Sequence, residues 1–109
     1  MQNVLQDIPY QEQGPGKRML VGEDHLLMMQ VALKPGDRIP DHHADSNVHI
    51  LVLKGEVVVR LDGEDNAAPA GSLVPVDKGT PMHIRNDAES SATFIVIKTP
   101  HPRMQKKEK

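Results

Sequence analysis

Histidine is the residue type best able to do chemistry in this chain of 109 residues, which has six histidines and no cysteine. His42 and His43 lie in a loop-like stretch that also holds three aspartates, namely Asp37, Asp41 and Asp45. Imidazole and carboxylate groups together can bind a transition metal or move a proton. The lack of cysteine excludes disulfides, iron–sulfur clusters, Cys-type zinc fingers and thiol catalysis. Any metal would therefore need histidine, carboxylate or methionine ligands.

Patterns typical of other enzyme classes are missing from the sequence. There is no nucleophilic serine elbow, phosphate-binding glycine loop or pair of catalytic carboxylates. A formal net charge of −2 and an aromatic content of 2% give neither a basic patch nor a stacking platform for bases. The first ten residues show no signal-peptide pattern, and no apolar run approaches the roughly 18 residues that span a bilayer. We therefore expect a cytoplasmic protein without nucleic-acid or membrane partners.

The sequence consists of short apolar or alternating segments separated by turn residues, which is typical of an all-β protein. We expect these strands to position the side chains named above. No segment shows a helical stripe, and with only Tyr10 and Phe94 as aromatic residues the core must be aliphatic. Asp62 and Gly63 predict a two-residue hairpin, because both tolerate a positive φ. The predicted strands are 17–21, 26–33, 48–53, 57–61, 72–76, 82–85 and 93–99.

The length of the chain fits a single domain with one hydrophobic core. Seven or more short strands in so short a sequence imply a small sandwich or barrel, because sheet edges and faces must both be covered. We place this domain at residues 17–100. Residues 1–16 are expected to form an N-terminal arm or an added edge strand, and residues 101–109 a flexible basic tail.

Residues 35–56, with the sequence PGDRIPDHHADSNVHILVLKGE, resemble the first motif of the cupin superfamily. In that motif a glycine is followed by five residues, His-x-His, three or four residues, a glutamate, six residues and a second glycine. Gly36, His42 and Gly55 stand at this spacing, and Pro40 precedes the histidine by two residues, as is common in cupins.

Residues 71–86, with the sequence GSLVPVDKGTPMHIRN, approximate the second cupin motif. Gly71, Gly79 and Asn86 are in register with it, and Asp77 stands where the family has a proline. The resemblance covers most of the chain. It implies an all-β single-domain cupin, which is a double-stranded β-helix or jelly-roll barrel.

Four motif positions hold the metal in metal-binding cupins, and in this sequence they carry His42, Ala44, Val48 and Met82. The resemblance implies that these side chains project into the barrel, where cupins usually bind iron, manganese, nickel or zinc. Because only one of the four is a histidine, we favour no metal cofactor. We predict instead that the four residues line a pocket for a small-molecule ligand.

Three other histidines, His43, His49 and His83, each stand one residue beyond a motif position. Successive side chains of a strand point to opposite faces, so a shift of one residue turns a side chain away from the barrel. Because the motif glycines and Asn86 keep their spacing, we expect no bulge that would turn these histidines inward. If the protein nevertheless binds a metal, the non-standard ligands would be His42, His43 and His83.

The same alternation places His49, Leu51 and Leu53 on the outer face of their strand. Apolar residues on both faces of a strand indicate that both faces are covered. We therefore expect a homodimer that forms through this β face, with His49 at the interface.

The sequence favours a small-molecule binding or sensing module with an apolar barrel pocket around His42. The alternative is a metal-dependent enzyme of the dioxygenase or isomerase type, in which His42 acts with non-standard ligands. A role in stability or assembly through the β face, without a ligand, is the third hypothesis.

Overall fold

Nine β-strands make up most of the chain in a computed structural model, which describes residues 1–104. A single 3₁₀ turn, Pro102–Met104, follows the last strand. No helix within the described residues is long and apolar enough to cross a membrane. The strands are β1 (Gly16–Glu23), β2 (Leu26–Leu33), β3 (Arg38–His43), β4 (Asn47–Lys54), β5 (Glu56–Leu61), β6 (Glu64–Pro69), β7 (Leu73–Val76), β8 (Pro81–Arg85) and β9 (Ala92–Thr99).

The strands form two sheets, and each pair of neighbouring strands is antiparallel. The five-stranded sheet has the order β1-β2-β9-β4-β7, and the four-stranded sheet has the order β3-β8-β5-β6. One core cluster contains side chains from both sheets, so the sheets face each other across it. The predicted all-β barrel is confirmed.

The core is aliphatic, as the composition requires. Phe94 is fully buried among valine, isoleucine and leucine side chains. Along β4, buried Val48, Ile50 and Val52 alternate with more exposed residues, which is the pattern of a strand with one face on the core. The inward direction that the sequence predicts for these three side chains is therefore the one observed.

All seven predicted strands form, with bounds within two residues of those expected. The predicted hairpin joins β5 to β6, with Asp62 and Gly63 at φ values of 51° and 81°. The sequence missed β3 and β6, however. Both consist almost entirely of exposed residues, so they lack the apolar alternation by which a strand is recognised.

The N-terminal arm lies against the outer face of the five-stranded sheet and contains no strand before Gly16. The side-chain amide of buried Gln30 donates to the carbonyl of Val4 (Nε2···O 2.8 Å). Arg18 donates to the carbonyl of Asp7 (Nη1···O 2.9 Å). Burial raises the pKa of the Tyr10 phenol. The arm is thus held by hydrogen bonds to its backbone and by packing.

The first part of the predicted tail makes specific contacts. The backbone amide of His101 donates to the carbonyl of Asp24 (3.0 Å), and Arg103 pairs with the Asp24 carboxylate (Nη2···Oδ1 2.7 Å). The remainder of the tail, 105–109, lies outside the described residues.

Candidate functional site

A cavity of about 160 Å³ lies between the two sheets, and its lining includes all four residues predicted from the motif positions. Val48 comes from β4 and Met82 from β8, while His42 and Ala44 stand at the end of β3 and just after it. Ala44, Val48 and Met82 are buried, whereas His42 is exposed at the rim. The structure thus brings the four residues together around one cavity.

Most of the cavity wall is hydrocarbon. Both sheets contribute aliphatic side chains, and Phe94 supplies a phenyl ring. The further apolar lining residues are Leu27, Met29, Val31, Ile39, Ile84 and Val96. Four polar side chains complete the lining, namely Lys17, His42, Asp45 and Lys98. The cavity therefore suits a ligand that is mainly apolar and carries few polar atoms.

A β-bulge in β3 directs His42 toward the barrel. Ile39 pairs with Ile84 and His42 pairs with Met82, so three residues of β3 span two residues of β8. The extra residue gives Ile39 and His42 the same inward side, which residues three apart in a regular strand would not share. The bulge lies before His42, and His43 is exposed and is not part of the lining of this cavity. In β4 the side chains from Val48 to Val52 alternate regularly between the inward and the outward face.

The hydrogen bond of His42 determines which of its ring nitrogens is free. Nδ1 lies 3.0 Å from the carbonyl oxygen of Pro40. A carbonyl only accepts hydrogen bonds, so Nδ1 carries the proton and donates it. Nε2 is then the ring nitrogen available to a ligand at the rim.

Lys98 is a lining residue that the sequence reasoning missed. It follows Phe94 and Val96 at intervals of two along β9, and it pairs across the strands with Val48 and Leu27. Its side chain is only 22% exposed, and its Nζ lies 2.9 Å from Oδ1 of Asp45. The alternation of β9 could have identified it, because residues 94, 96 and 98 must share one face.

A second cavity, of about 310 Å³, lies where β3 ends, β8 begins and the β5–β6 turn approaches them. His42, His43 and His83 all line it, together with Asp41 and Arg60. The three histidines named as non-standard metal ligands therefore border one space.

Within this second cavity, His83 lies on the face of β8 opposite to buried Met82 and Ile84. Its Nδ1 is 3.0 Å from Oδ1 of Asp41, and its side chain is 12% exposed. Its Nε2 is buried and has no hydrogen-bond partner among the described residues. Asp41 thus orients the His83 ring.

The donor set at the motif positions does not fit a transition metal. Ala44 and Val48 have no donor atom, and Met82 offers only a weak thioether to accompany His42. Within residues 1–104, no group of three or more histidine, aspartate or glutamate side chains is arranged to hold a metal ion. We therefore derive no chemistry through a metal in the barrel.

The outer face of the four-stranded sheet carries a network of charges. Arg85 donates two hydrogen bonds to the Asp65 carboxylate (Nη2···Oδ2 2.9 Å, Nη1···Oδ1 3.3 Å) and one to Asp87 (Nε···Oδ2 2.8 Å). Arg60 also pairs with Asp65 (Nε···Oδ1 3.2 Å). The hydrogen bonds from Arg85 hold the pKa of Asp65 below its usual range. The two carboxylates in turn raise the pKa of Arg85.

The outer face of the five-stranded sheet contains the residues expected at a dimer interface. Leu51 and Leu53 are half-buried, His49 is exposed, and Leu73 of the neighbouring strand β7 is 59% exposed. Leu51 pairs with Ile95 on one side and Leu73 on the other. The face is apolar, and the homodimer stays a prediction.

Comparison with known proteins gives matches that cover most of the chain. Residues 29–98 match the family model of the cupin domain. The uncharacterised protein MJ0764 of Methanocaldococcus jannaschii is 33% identical over 85 residues, which are 77% of this chain and 73% of that protein.

Two solved structures are similar over nearly their whole length. The crystal structure of MJ0764, described as an RmlC-like cupin family protein with a double-stranded β-helix fold, has a TM-score of 0.74 at 30% identity and covers 86% of this chain and 89% of that one. The structure of TT1209 from Thermus thermophilus has a TM-score of 0.84 at 25% identity and covers 92% and 96% of the two chains. Neither name states a ligand or a reaction.

Proposed function

Because this chain belongs to the cupin domain family, we propose that it binds a small, mainly apolar molecule in the barrel cavity around His42, Ala44, Val48 and Met82. The main support is the lining of that cavity, where two of the four motif positions carry side chains without a donor atom. The cavity lies at the motif positions where metal-binding cupins hold their metal, but its lining is mainly hydrocarbon.

Each part of the lining has a role in this proposal. The aliphatic wall binds the apolar part of the ligand, because its burial removes hydrocarbon surface from water. Nε2 of His42 is the ring nitrogen left to contact a polar group of the ligand at the rim, since Nδ1 is engaged by the carbonyl of Pro40. A volume of about 160 Å³ corresponds to roughly five water molecules at about 30 Å³ each. The ligand is accordingly small.

The proposal can be tested by methyl NMR with neutral alcohols and amides of four to six carbons as probes. We expect shifts in the methyl signals of Val48 and Met82, which line the cavity. Ala44→Leu fills the space and should weaken the binding of any active probe at least tenfold. Ala67→Leu, at an exposed position of β6, is the matched control and should leave binding unchanged. Equal binding by the wild type and Ala44→Leu, or no shifts with any probe, would contradict the proposal.

A metal-dependent enzyme is the second candidate function. The observation that favours it is the shared lining of the 310 Å³ cavity by His42, His43 and His83, with His83 oriented by Asp41. It predicts a metal-to-protomer ratio near one in protein purified without an affinity tag, and a lower ratio in His42→Ala. A ratio near zero that stays so after exposure to iron, manganese, nickel and zinc would leave the small-molecule proposal as the better one.

A further inference from the structure

We infer that the ligand of the barrel cavity carries a carboxylate group and that the ammonium group of Lys98 binds it. This inference rests on the proposed function and names the chemical class of the molecule that the cavity takes. Lys98 faces the core side of the five-stranded sheet.

Lys98 occupies an inward position that apolar residues hold elsewhere on β9. Phe94 and Val96 precede it on the same face, and its cross-strand neighbours Val48 and Leu27 also line the cavity. The side chain is 22% exposed. A charged group in such surroundings is stable when it has a partner of opposite charge.

The partner that Lys98 has in the structure is a weak competitor. Asp45 lies 2.9 Å from the ammonium, but its side chain is 54% exposed. Ion pairs with a solvent-exposed partner contribute little, because water and salt screen them. A ligand carboxylate that enters the cavity can therefore replace Asp45 at Lys98 at little cost in free energy.

The charge balance of the lining also favours an anion. Lys17 and Lys98 bring two positive charges and Asp45 brings one negative charge. The Lys17 side chain has no hydrogen bond or ion pair within residues 1–104. A monocarboxylate would neutralise the remaining positive charge, whereas an amine would add to it.

The residue opposite Lys98 is a valine. Val48 stands at the motif position where metal-binding cupins have a glutamate, and it is the direct cross-strand partner of Lys98. Val48 therefore offers the lysine no carboxylate, and within residues 1–104 the one carboxylate of the lining is that of the exposed Asp45. In this barrel the positive charge is that of a lysine side chain, whereas in metal-binding cupins it is that of a metal ion.

The volume limits the length of the acid. About 160 Å³ accommodates about five or six non-hydrogen atoms if each group occupies roughly the space of a water molecule. Butyrate has this size, and butyramide and butylamine have nearly the same shape with a neutral or positive head group. The three compounds form a matched series of probes.

The experiment is a methyl NMR titration of the whole protein with butyrate, butyramide and butylamine at pH 7. We expect butyrate to bind at least about tenfold more tightly than butyramide, because a charge-assisted hydrogen bond is stronger than a neutral one. Butylamine should bind most weakly. The methyl signals of Val48 and Met82 report binding in the cavity.

Two substitutions at the ion pair should change butyrate affinity in opposite directions. Lys98→Met keeps most of the length of the side chain, removes its charge and should raise the Kd for butyrate about tenfold, with no effect on butyramide. Asp45→Asn removes the competing carboxylate and should lower the Kd about threefold. Lys54→Met, at the exposed end of β4, is the control and should change neither value.

The outcomes separate this inference from the proposed function. If butyramide shifts the cavity methyls as strongly as butyrate, the cavity binds small molecules and the carboxylate inference is wrong. Butyrate binding that is unchanged in Lys98→Met also overturns it. If no probe in this series or among the neutral alcohols and amides shifts these signals, the proposed function itself fails, and the inference fails with it.

Discussion

Val48 and Lys98 are direct cross-strand partners on the inward face of the five-stranded sheet. One stands at a motif position that holds a metal ligand in metal-binding cupins, and the other brings a positive charge to the same cavity. Valine has no carboxylate and offers the lysine no opposite charge. The pair therefore places an ammonium group in a hydrocarbon-lined interior at the position where metal-binding cupins have their metal site.

The first prediction concerns the four motif positions that hold the metal in metal-binding cupins. The triple variant Ala44→His, Val48→Glu and Met82→His completes a set of four donor residues with His42. Because positions 44, 48 and 82 are buried and line one cavity with His42, we expect the variant to bind about one nickel or manganese ion per protomer. The wild type should bind less than a tenth of that amount. Elemental analysis after gel filtration measures the ratio.

Controls make the result specific to the barrel. Adding His42→Ala to the triple variant should abolish metal binding, whereas adding His83→Ala should leave it unchanged, since His83 lies on the opposite face of β8. Inserting larger side chains into a packed core costs about 1–3 kcal/mol, so circular dichroism must show that the variant is folded. A folded triple variant without metal would mean that the four positions do not converge.

The sequence could predict the direction of the barrel side chains because a strand has a period of two. The cupin motif implied that Val48 and Met82 project into the barrel, and the period of two then placed Ile50 on the same face as Val48. The motif glycines identified the turns by the same kind of local signal, since six glycines have a positive φ. The fold and the lining of the cavity were thus within reach of sequence reasoning.

Other features depend on interactions between segments that are distant in sequence. Strand β3 is exposed along most of its length, and its bulge is visible only in its pairing with β8. The role of Lys98 depends on its neighbours Val48 and Leu27 in adjacent strands. The residues of β3 and the lysine at position 98 do not by themselves indicate the bulge or the cavity, because both depend on pairing with strands distant in sequence.

The second prediction tests why a glycine occupies position 55. Gly55 has a φ of 77°, and a Cβ placed there would lie 2.6 Å from the carbonyl oxygen of Ser91 and 2.9 Å from Ala92 Cα. Gly71 has a φ of 94° but open space around it. Gly71→Ala should cost about 1–2 kcal/mol of unfolding free energy from backbone strain alone.

Gly55→Ala should cost more than Gly71→Ala by at least about 1 kcal/mol, because backbone atoms must also move. Urea denaturation of the two variants beside the wild type measures both values. Equal losses would show that Ser91 and Ala92 do not constrain this turn.

The third prediction concerns the expected homodimer. Leu51 lies between Ile95 and Leu73 on the outer face of the five-stranded sheet. Leu51→Glu places a charge in this apolar patch and should weaken association at least tenfold, as measured by analytical ultracentrifugation over a range of concentrations. Ala67→Glu, an exposed position on the other sheet, serves as the control. A wild type that stays monomeric at high concentration would refute the interface.

The fourth prediction concerns acid stability and the Asp65 carboxylate. Arg85 donates two hydrogen bonds to Asp65, which lowers the pKa of Asp65 in the folded protein below its unfolded value of about 3.9. The ionised carboxylate therefore contributes stability that is fully present above about pH 3.9 and is lost as the pH falls through the lower folded value.

Asp65→Asn removes this titration. The melting temperature of the variant should lie below that of the wild type at pH 6, and the difference should shrink between pH 4 and pH 2 as Asp65 of the wild type becomes protonated. Glu89→Gln, which removes an exposed carboxylate that has no ion pair within residues 1–104, is the control for the change in net charge. A difference between wild type and Asp65→Asn that stays constant over the whole pH range would show that the Arg85–Asp65 pair does not contribute to acid stability.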